Sequence, residues 1–292
     1  MPRAFVFILL PILLGGADLK VDHVTVAARN LEKLRAGLAA VGLNSEYGGP
    51  HSNHATEMAL TSFPDGSYLE LIALQPNADP QAVAKSDWSK PIEHDAGPTA
   101  WAAHVNDLAA ELARLQSAGV EVGAAVRNGR ARPDGTKLDW EAARVGGGPT
   151  GAFFPFLIRD FTPRELRAFP QGKPTTQDFS GITRVVIAVH DLDASAARYA
   201  KAFGAAVTAR ETDPSFGARL AILAGTPVIL ATPVNSDSWL ARRLDQFGEG
   251  PSAFVLGGHS SGRYQAVSKS RWAGADVSWF DNEKLGWRLG FE

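Results

Sequence analysis

The 292-residue chain contains no cysteine. That excludes disulfides, a thiolate metal site, a cysteine nucleophile and a lipidated cysteine at an N-terminal processing point. An excess of charge is also missing: 29 basic and 31 acidic residues leave a formal charge of -2, and long Lys/Arg runs are absent. Such a surface has no electrostatic grip on nucleic acid or anionic membrane, so a small-molecule partner is expected. The one conspicuous apolar run, Ala4 to Leu14, falls short of the roughly 20 residues a spanning helix needs and is interrupted by Pro11. With Met1-Pro2-Arg3 before it and Gly15-Gly16-Ala17 after it, the segment predicts a secretory leader over residues 1–17. The expectation is an exported, periplasmic or secreted protein with no stable membrane span after cleavage. Gly146-Gly147-Gly148-Pro149-Thr150-Gly151 lacks the Gly-Lys-Ser/Thr of a phosphate loop and predicts a hairpin turn.

What is present is a repeated pattern in a chain long enough for two cores. Asn30 precedes Leu31, Leu34, Leu38 and Val41, and the run stops at Gly42. Asp107 likewise opens Leu108, Leu112 and Leu115 before Gly119, and Asp191 opens Leu192, Tyr199 and Phe203 before Gly204. Each is a capped amphipathic helix ended by glycine. A strand-like run precedes each, at His23 to Ala27, Ala100 to His104 and Val185 to Val189, and further strand candidates follow, such as Thr56 to Ser62 and Tyr68 to Ala73. A fourth copy is signalled where Gly97-Pro98-Thr99-Ala100-Trp101 reappears as Gly250-Pro251-Ser252-Ala253-Phe254, with a helix predicted from about Ser260 to Trp272, ending near Gly274. The unit is strand, helix, several strands, and the chain reads as a duplicated pair of units. The join is expected in the Pro/Gly/Thr-rich stretch 169–181, between domains at 18–168 and 182–292.

Several motifs resemble the vicinal oxygen chelate superfamily of glyoxalases, bleomycin-resistance proteins and extradiol dioxygenases. They are Asp22-His23-Val24, Gly48-Gly49 with His51 and Ala55-Thr56-Glu57, Tyr68-Leu69-Glu70-Leu71, and Pro155-Phe156-Leu157-Ile158. Residues 20–165 look like a glyoxalase-like domain, and 182–204 look like the start of a further module. The resemblance implies an α+β fold of four βαβββ modules paired into two half-barrel domains. It also implies that first-strand His23 and last-strand Glu70 are ligands of a divalent ion such as Zn, Mn, Fe or Ni, with His51 as the third ligand and His54 a weaker candidate. In place of the family's Gly-Thr-x-Asn this chain has Ala55-Thr56-Glu57-Met58.

Strand alternation places His23 and Thr25 on one face and Val24 and Val26 on the other, and sorts Tyr68 and Glu70 from Leu69 and Leu71. His23, Thr25, Tyr68 and Glu70 therefore share a polar surface if both strands belong to one curled sheet. Imidazole and carboxylate suit a divalent ion that polarises two neighbouring substrate oxygens, with Glu70 or a nearby group moving the proton. A hydrogen-bonded His23–Glu70 pair lining a metal-free cavity is the other reading of the same residues. Thr25, Tyr68 and Trp101 are expected substrate contacts, and the resemblance places Arg159 and Asp160 near the mouth of the same cavity, although a plain surface pair also accounts for those two. The tryptophans Trp101, Trp272, Trp279 and Trp287 are expected in the core or a cavity wall. In the second half Arg184 stands where His23 stands in the first, and an arginine cannot ligate a cation. The expected function is a metal-dependent glyoxalase-like lyase, isomerase or dioxygenase; the alternatives are a metal-free binding protein and an accessory scaffold with vestigial cavities.

Overall fold

The computed structural model describes residues 19–132, 134–258 and 263–292. The expected leader and His259 lie outside them. The first sheet comprises β1 (Lys20–Ala27), β2 (Glu46–Pro50), β3 (Thr56–Ser62), β4 (Tyr68–Leu74), β5 (Gly97–His104), β6 (Val126–Ala131), β7 (Lys137–Ala143) and β8 (Phe156–Asp160). The second comprises β9 (Gly181–Ala188), β10 (Val207–Asp213), β11 (Ala218–Leu223), β12 (Val228–Pro233), β13 (Gly250–Gly257), β14 (Ser268–Trp272), β15 (Ala275–Trp279) and β16 (Arg288–Phe291). Helices α1 (Leu31–Ala40), α2 (Pro80–Ala84), α3 (Ser89–Glu93), α4 (Leu108–Ser117) and α5 (Arg164–Ala168) accompany the first sheet. Those of the second are α6 (Leu192–Phe203), α7 (Trp239–Phe247) and α8 (Asn282–Leu285).

The two eight-stranded sheets run β2-β3-β4-β1-β5-β8-β7-β6 and β10-β11-β12-β9-β13-β16-β15-β14, one strand order written twice. Within the first, β1 is parallel to β4 and antiparallel to β5, and β5 is parallel to β8. The fold is α+β, two curled sheets of glyoxalase-like type, as the motifs imply. Residues 169–180 contain neither helix nor strand.

Local chemistry accounts for the long helices. Asn30 accepts from the Lys33 amide, Asp107 from Ala110, and Asp191 from Asp193 and Ala194, satisfying amides that a helix start leaves open. Gly204 closes α6 in the left-handed conformation, with φ 68°. The fourth unit departs from expectation. Ser268–Trp272 is strand β14, because Ser270 and Trp272 alternate inward with period two. Its Gly274, with φ 83°, follows Ala273 at φ 50° in a two-residue hairpin turn rather than ending a helix. The short helix of this unit is α8, between β15 and β16. The glycine-rich stretch lies in the β7–β8 connection, longer than a tight hairpin, where Gly151 approaches the backbone of Trp101.

Alternate residues of each sheet feed different cores. Val24 and Val26 of β1, Leu69 and Leu71 of β4, Trp101 of β5, Val185 and Ile187 of β9 and Phe254 of β13 join the buried faces of α1, α4 and α6 in a shared interior. That interior crosses between the halves: Tyr199 of α6 donates its hydroxyl to the Phe153 carbonyl at 2.5 Å, with Phe153 and Phe154 packed on its ring at 5.1 and 5.0 Å. The opposite face of the second sheet is filled by Leu240 and Leu244 of α7 with Phe216, Trp272 and Trp279. On the matching face of the first sheet α2 buries nothing, α3 and the residue before it contribute Ile92 and Trp88, and a cavity stays open.

Because the halves share one core, unfolding by denaturant is expected to be a single transition when followed by tryptophan fluorescence and by circular dichroism. Tyr199→Phe should cost about 1–2 kcal/mol by stranding the Phe153 carbonyl, and Tyr199→Ala about 3–5 kcal/mol by emptying the ring's space. Two separated transitions would show that the halves fold independently.

Candidate metal centre

The open cavity of the first sheet has a volume of about 190 Å³ and is lined in part by His23, His51, Tyr68, Glu70, Arg130 and Phe156. Strand pairing builds its floor. His23 lies beside Tyr68 in the parallel β1–β4 register, and Thr25 lies beside Glu70. His51 arrives from the turn between β2 and β3, where Asn53 accepts from the Ala55 and Thr56 amides. Gln75 pins the same turn by donating to the His51 and Thr56 carbonyls at 2.9 and 2.8 Å.

Three ligand-type side chains meet across this floor. The Nε2 atom of His51 is 3.3 Å from Glu70 Oε1, and that of His23 is 3.8 Å from Glu70 Oε2. Each imidazole is anchored through its other nitrogen, His23 Nδ1 donating to Asp22 Oδ1 at 2.6 Å and His51 Nδ1 lying 2.7 Å from Thr56 Oγ1. Anchoring Nδ1 turns Nε2 toward the cavity, the arrangement that metal-binding histidines use. The donors, two imidazoles and a carboxylate with the remaining positions open, suit a divalent transition ion. Burial works against the Glu70 charge, but the His51 contact, the proximity of His23 and the Thr25 hydroxyl bring its carboxyl down to about 2. Thr25 donates to Glu70 Oε2 at 3.2 Å.

Behind His23 lies a second cluster that sequence reading did not find. Asp22 is fully buried and accepts from four groups: His23, Arg164, and both terminal nitrogens of Arg167, the last two at 2.9 and 2.8 Å. Arg167 also donates from Nε and Nη2 to Asp160, at 2.6 and 2.8 Å, and from Nη1 to the Tyr68 hydroxyl at 2.6 Å. Although burial opposes ionisation, Arg167 and Arg164 hold the Asp22 carboxyl well below the usual range. The Tyr68 phenol is pushed the other way by burial, above its ordinary value. Its ring stacks on His23 at 4.8 Å with 5° between planes, and Phe156 meets His23 edge-on at 5.3 Å.

Asp22, His104 and Asp160 form the group, among the described residues, whose ligand atoms all lie within 4.8 Å of one another. By span alone it could hold a cation. Its carboxylates, however, already accept from Arg164 and Arg167, and a divalent ion would have to enter against two guanidinium charges. The donor set around Glu70 suits an ion better, since among the described residues no arginine or lysine pairs with its carboxylate.

The structure brings His23, His51, Tyr68 and Glu70 to one cavity and sets other expected contacts apart. Thr25 reaches Glu70 rather than the cavity wall. Asp160 is spent on Arg167. Arg159 turns to Glu141 at 3.4 Å and to the Phe161 ring, because strand alternation sends it away from Phe156 and Ile158. Trp101 faces the shared interior and is fully buried there, one residue out of register with the cavity face. His54 is exposed at a left-handed φ of 59° and does not line the cavity. Arg184 pairs with Glu292 at 3.4 Å. Ala102 lies beside His23 across the β1–β5 pair, and Phe156 and Ile158 face the cavity from β8, so this half of the sheet adds no ligand. The missed signal was Arg164-x-x-Arg167 after Pro163, two arginines three apart on one short helix.

Asp22→Asn should lower stability by about 3–5 kcal/mol at neutral pH, since it leaves buried guanidinium charge uncompensated. The depressed native value sets the sign: the Asp22 contribution is complete above the unfolded-chain value of about 3.9 and is lost as pH falls through the native value. Denaturant titrations of both proteins should therefore show a constant gap above pH 4 or so that closes in stronger acid. A gap independent of pH would exclude the ionised carboxylate as its source.

No curated protein matches the chain. Among solved structures, a hypothetical protein from Staphylococcus aureus aligns over 94% of this chain and 99% of its own, with TM-score 0.66 and 19% identity, a likeness of fold. Methylmalonyl-CoA epimerase from Mycobacterium tuberculosis aligns over 40% of this chain and 89% of its own, with TM-score 0.35 and 22% identity. A Streptomyces coelicolor methylmalonyl-CoA epimerase in complex with 2-nitronate-propionyl-CoA aligns over 38% and 91%, with TM-score 0.33 and 23% identity. The sequence profile of a glyoxalase-like domain matches residues 21–203, a span that begins one residue before Asp22, includes the whole cavity floor and ends with α6. By that match the chain belongs to the glyoxalase-like domain family.

Proposed function

We propose that the cavity of the first sheet is a metal-dependent catalytic site in which His23, His51 and Glu70 hold one divalent ion and a small substrate meets that ion through two neighbouring oxygens. The observation that carries this reading is the convergence of two Nε2 atoms on the two oxygens of Glu70, with both Nδ1 atoms anchored. When bound, the ion supplies Lewis-acid polarisation of adjacent oxygens, the chemistry shared by glyoxalase-type lyases, isomerases and dioxygenases.

The chain's own residues prepare the rest. Asp22 orients His23 and keeps its proton on Nδ1, leaving the Nε2 lone pair for the ion. Thr56 does the equivalent for His51. A Glu70 carboxyl at about 2 is an anion across the working pH range, suited to ligation and weak as a proton acceptor. Tyr68, held protonated by burial, is a wall and a hydrogen-bond partner of Arg167 rather than a base. Trp88, Trp140 and Phe156 give the cavity flat apolar sides, and its volume restricts it to ligands smaller than the drug-sized molecules of roughly 300–1,000 Å³ pockets. Those aromatic sides are also what favours the second reading, a metal-free protein that binds a planar molecule. The second sheet, its inner face filled by α7 and aromatic side chains, serves as scaffold in either case.

Elemental analysis of the untagged protein should find about one equivalent of a transition metal per chain, retained through dialysis and lost in His23→Ala, His51→Ala and Glu70→Ala. Thr56→Val, which removes the hydroxyl that anchors His51 together with its bond from the Asn53 amide, should weaken metal affinity about 10- to 100-fold without abolishing it. Equal metal content in the wild type and the Glu70→Ala variant, or none after incubation with Zn, Mn, Fe and Ni, would overturn the catalytic reading in favour of metal-free binding.

A further inference from the structure

Arg130 is the cavity residue whose charge is unanswered. It sits on β6 with Asn128 two positions earlier, and alternation turns both into the cavity, across from the ligand cluster. Its Nη1 donates to the Gly48 carbonyl at 2.8 Å, one of five N–H groups used. Among the described residues no carboxylate pairs with it, whereas Arg164 and Arg167 behind His23 are both engaged by Asp22. Burial pulls the Arg130 guanidinium below its ordinary value, as expected of a desolvated and unpaired cation. The charges that act on it are Tyr68, Glu70, Arg132 and Arg167. Of these, Arg167 is bonded to Asp22 and Asp160, and Glu70 to Thr25 with His51 beside it. Arg132 belongs to an outer groove that Arg130 also borders, where Asp134 lies 3.3 Å from it.

A half-buried guanidinium without an acid is costly to keep unless something from outside completes it. The planar fork of arginine matches a carboxylate in two parallel hydrogen bonds, and Asn128 adds an amide beside it. The flat sides formed by Trp88, Trp140 and Phe156 suit a ring or other planar body between the two polar ends. We propose that Arg130 sets the specificity of this cavity, and that its ligand is a small planar carboxylate whose carboxyl group lies on Arg130 while two neighbouring oxygens face His23, His51 and Glu70. The oxygen end of this assignment rests on the proposed metal site; the carboxylate end does not.

The test is calorimetric binding to the full chain with and without Zn, using two ligand pairs: catechol against 3,4-dihydroxybenzoate, and phenol against benzoate. The expected result is a 10- to 100-fold preference for the carboxylated member of each pair. Arg130→Met should abolish that preference, with far-ultraviolet circular dichroism and a cooperative denaturant transition reporting that the variant is folded, while Arg130→Lys should restore part of it. Equal affinity within both pairs, a preference that survives Arg130→Met, failure of 3,4-dihydroxybenzoate to bind the wild type, or tighter binding of phenyl phosphate than of benzoate would overturn the proposal. Its failure is distinguishable from failure of the metal site. Zn-dependent catechol binding without carboxylate preference sinks this inference alone. An Arg130-dependent benzoate preference with Zn-independent catechol binding sinks the metal site alone.

Discussion

One buried carboxylate organises the first half of the molecule. Asp22 has no solvent to share its charge with, and its stability comes from Arg167, Arg164 and the His23 N–H that surround it. Those partners tie the first strand to α5, more than 140 residues later in the chain. Because Arg167 also holds Asp160 and the Tyr68 hydroxyl, the ends of β1, β4 and β8 are fixed by the same guanidinium. The orientation of His23 follows from this: its ring is clamped between the Asp22 carboxylate below and the Tyr68 ring beside it. A network this deep is sensitive to losing any member, since each remaining charge would be left buried without its partner.

The two sheets show how little the strand order says about activity. Both wind in the same sequence of strands, yet one face holds a cavity and its counterpart holds a core. The difference is made by the helices between the fourth and fifth strands of each half and by the aromatic side chains that meet them. In the second, α7 places Leu240 and Leu244 against the sheet, and Phe216 stacks with Trp279 at 5.0 Å and meets Trp272 edge-on at 5.1 Å. In the first, the two helices have five residues each, and only Ile92 of α3 and the adjacent Trp88 pack against that face. Dispersion and burial favour filling such a face, so an open and polar one is retained against that tendency. Fold is shared, and the site depends on the side chains placed on it.

Much of this architecture was legible in the residues. Caps at Asn30, Asp107 and Asp191, with leucine spacing behind them, identify α1, α4 and α6, and period-two alternation identifies β3 and β4 close to their observed ends. The fourth unit misled because a glycine closes a helix and turns a hairpin equally well; only strand pairing separates the two. Alternation correctly put His23, Tyr68 and Glu70 on one face. Trp101 and Arg159, expected as substrate contacts on other grounds, fall on the opposite face: Ala100 and Ala102 pair with Thr25 and His23, and Phe156 and Ile158 face the cavity in place of Arg159.

The sequence by itself determined the local elements, the absence of thiol chemistry, and the residue types able to hold a metal, because these depend on short-range spacing and on composition. Tertiary structure decided which of those residues meet. His51 joins His23 and Glu70 only through a turn pinned by Asn53 and Gln75, and Asp22 is satisfied only by arginines from a helix that short-range pattern does not connect to it. The same holds for which face stays open and for Arg130, which among the described residues has no acid beside it. Each of these turns on the distance between residues far apart in the chain, and no local propensity encodes that distance.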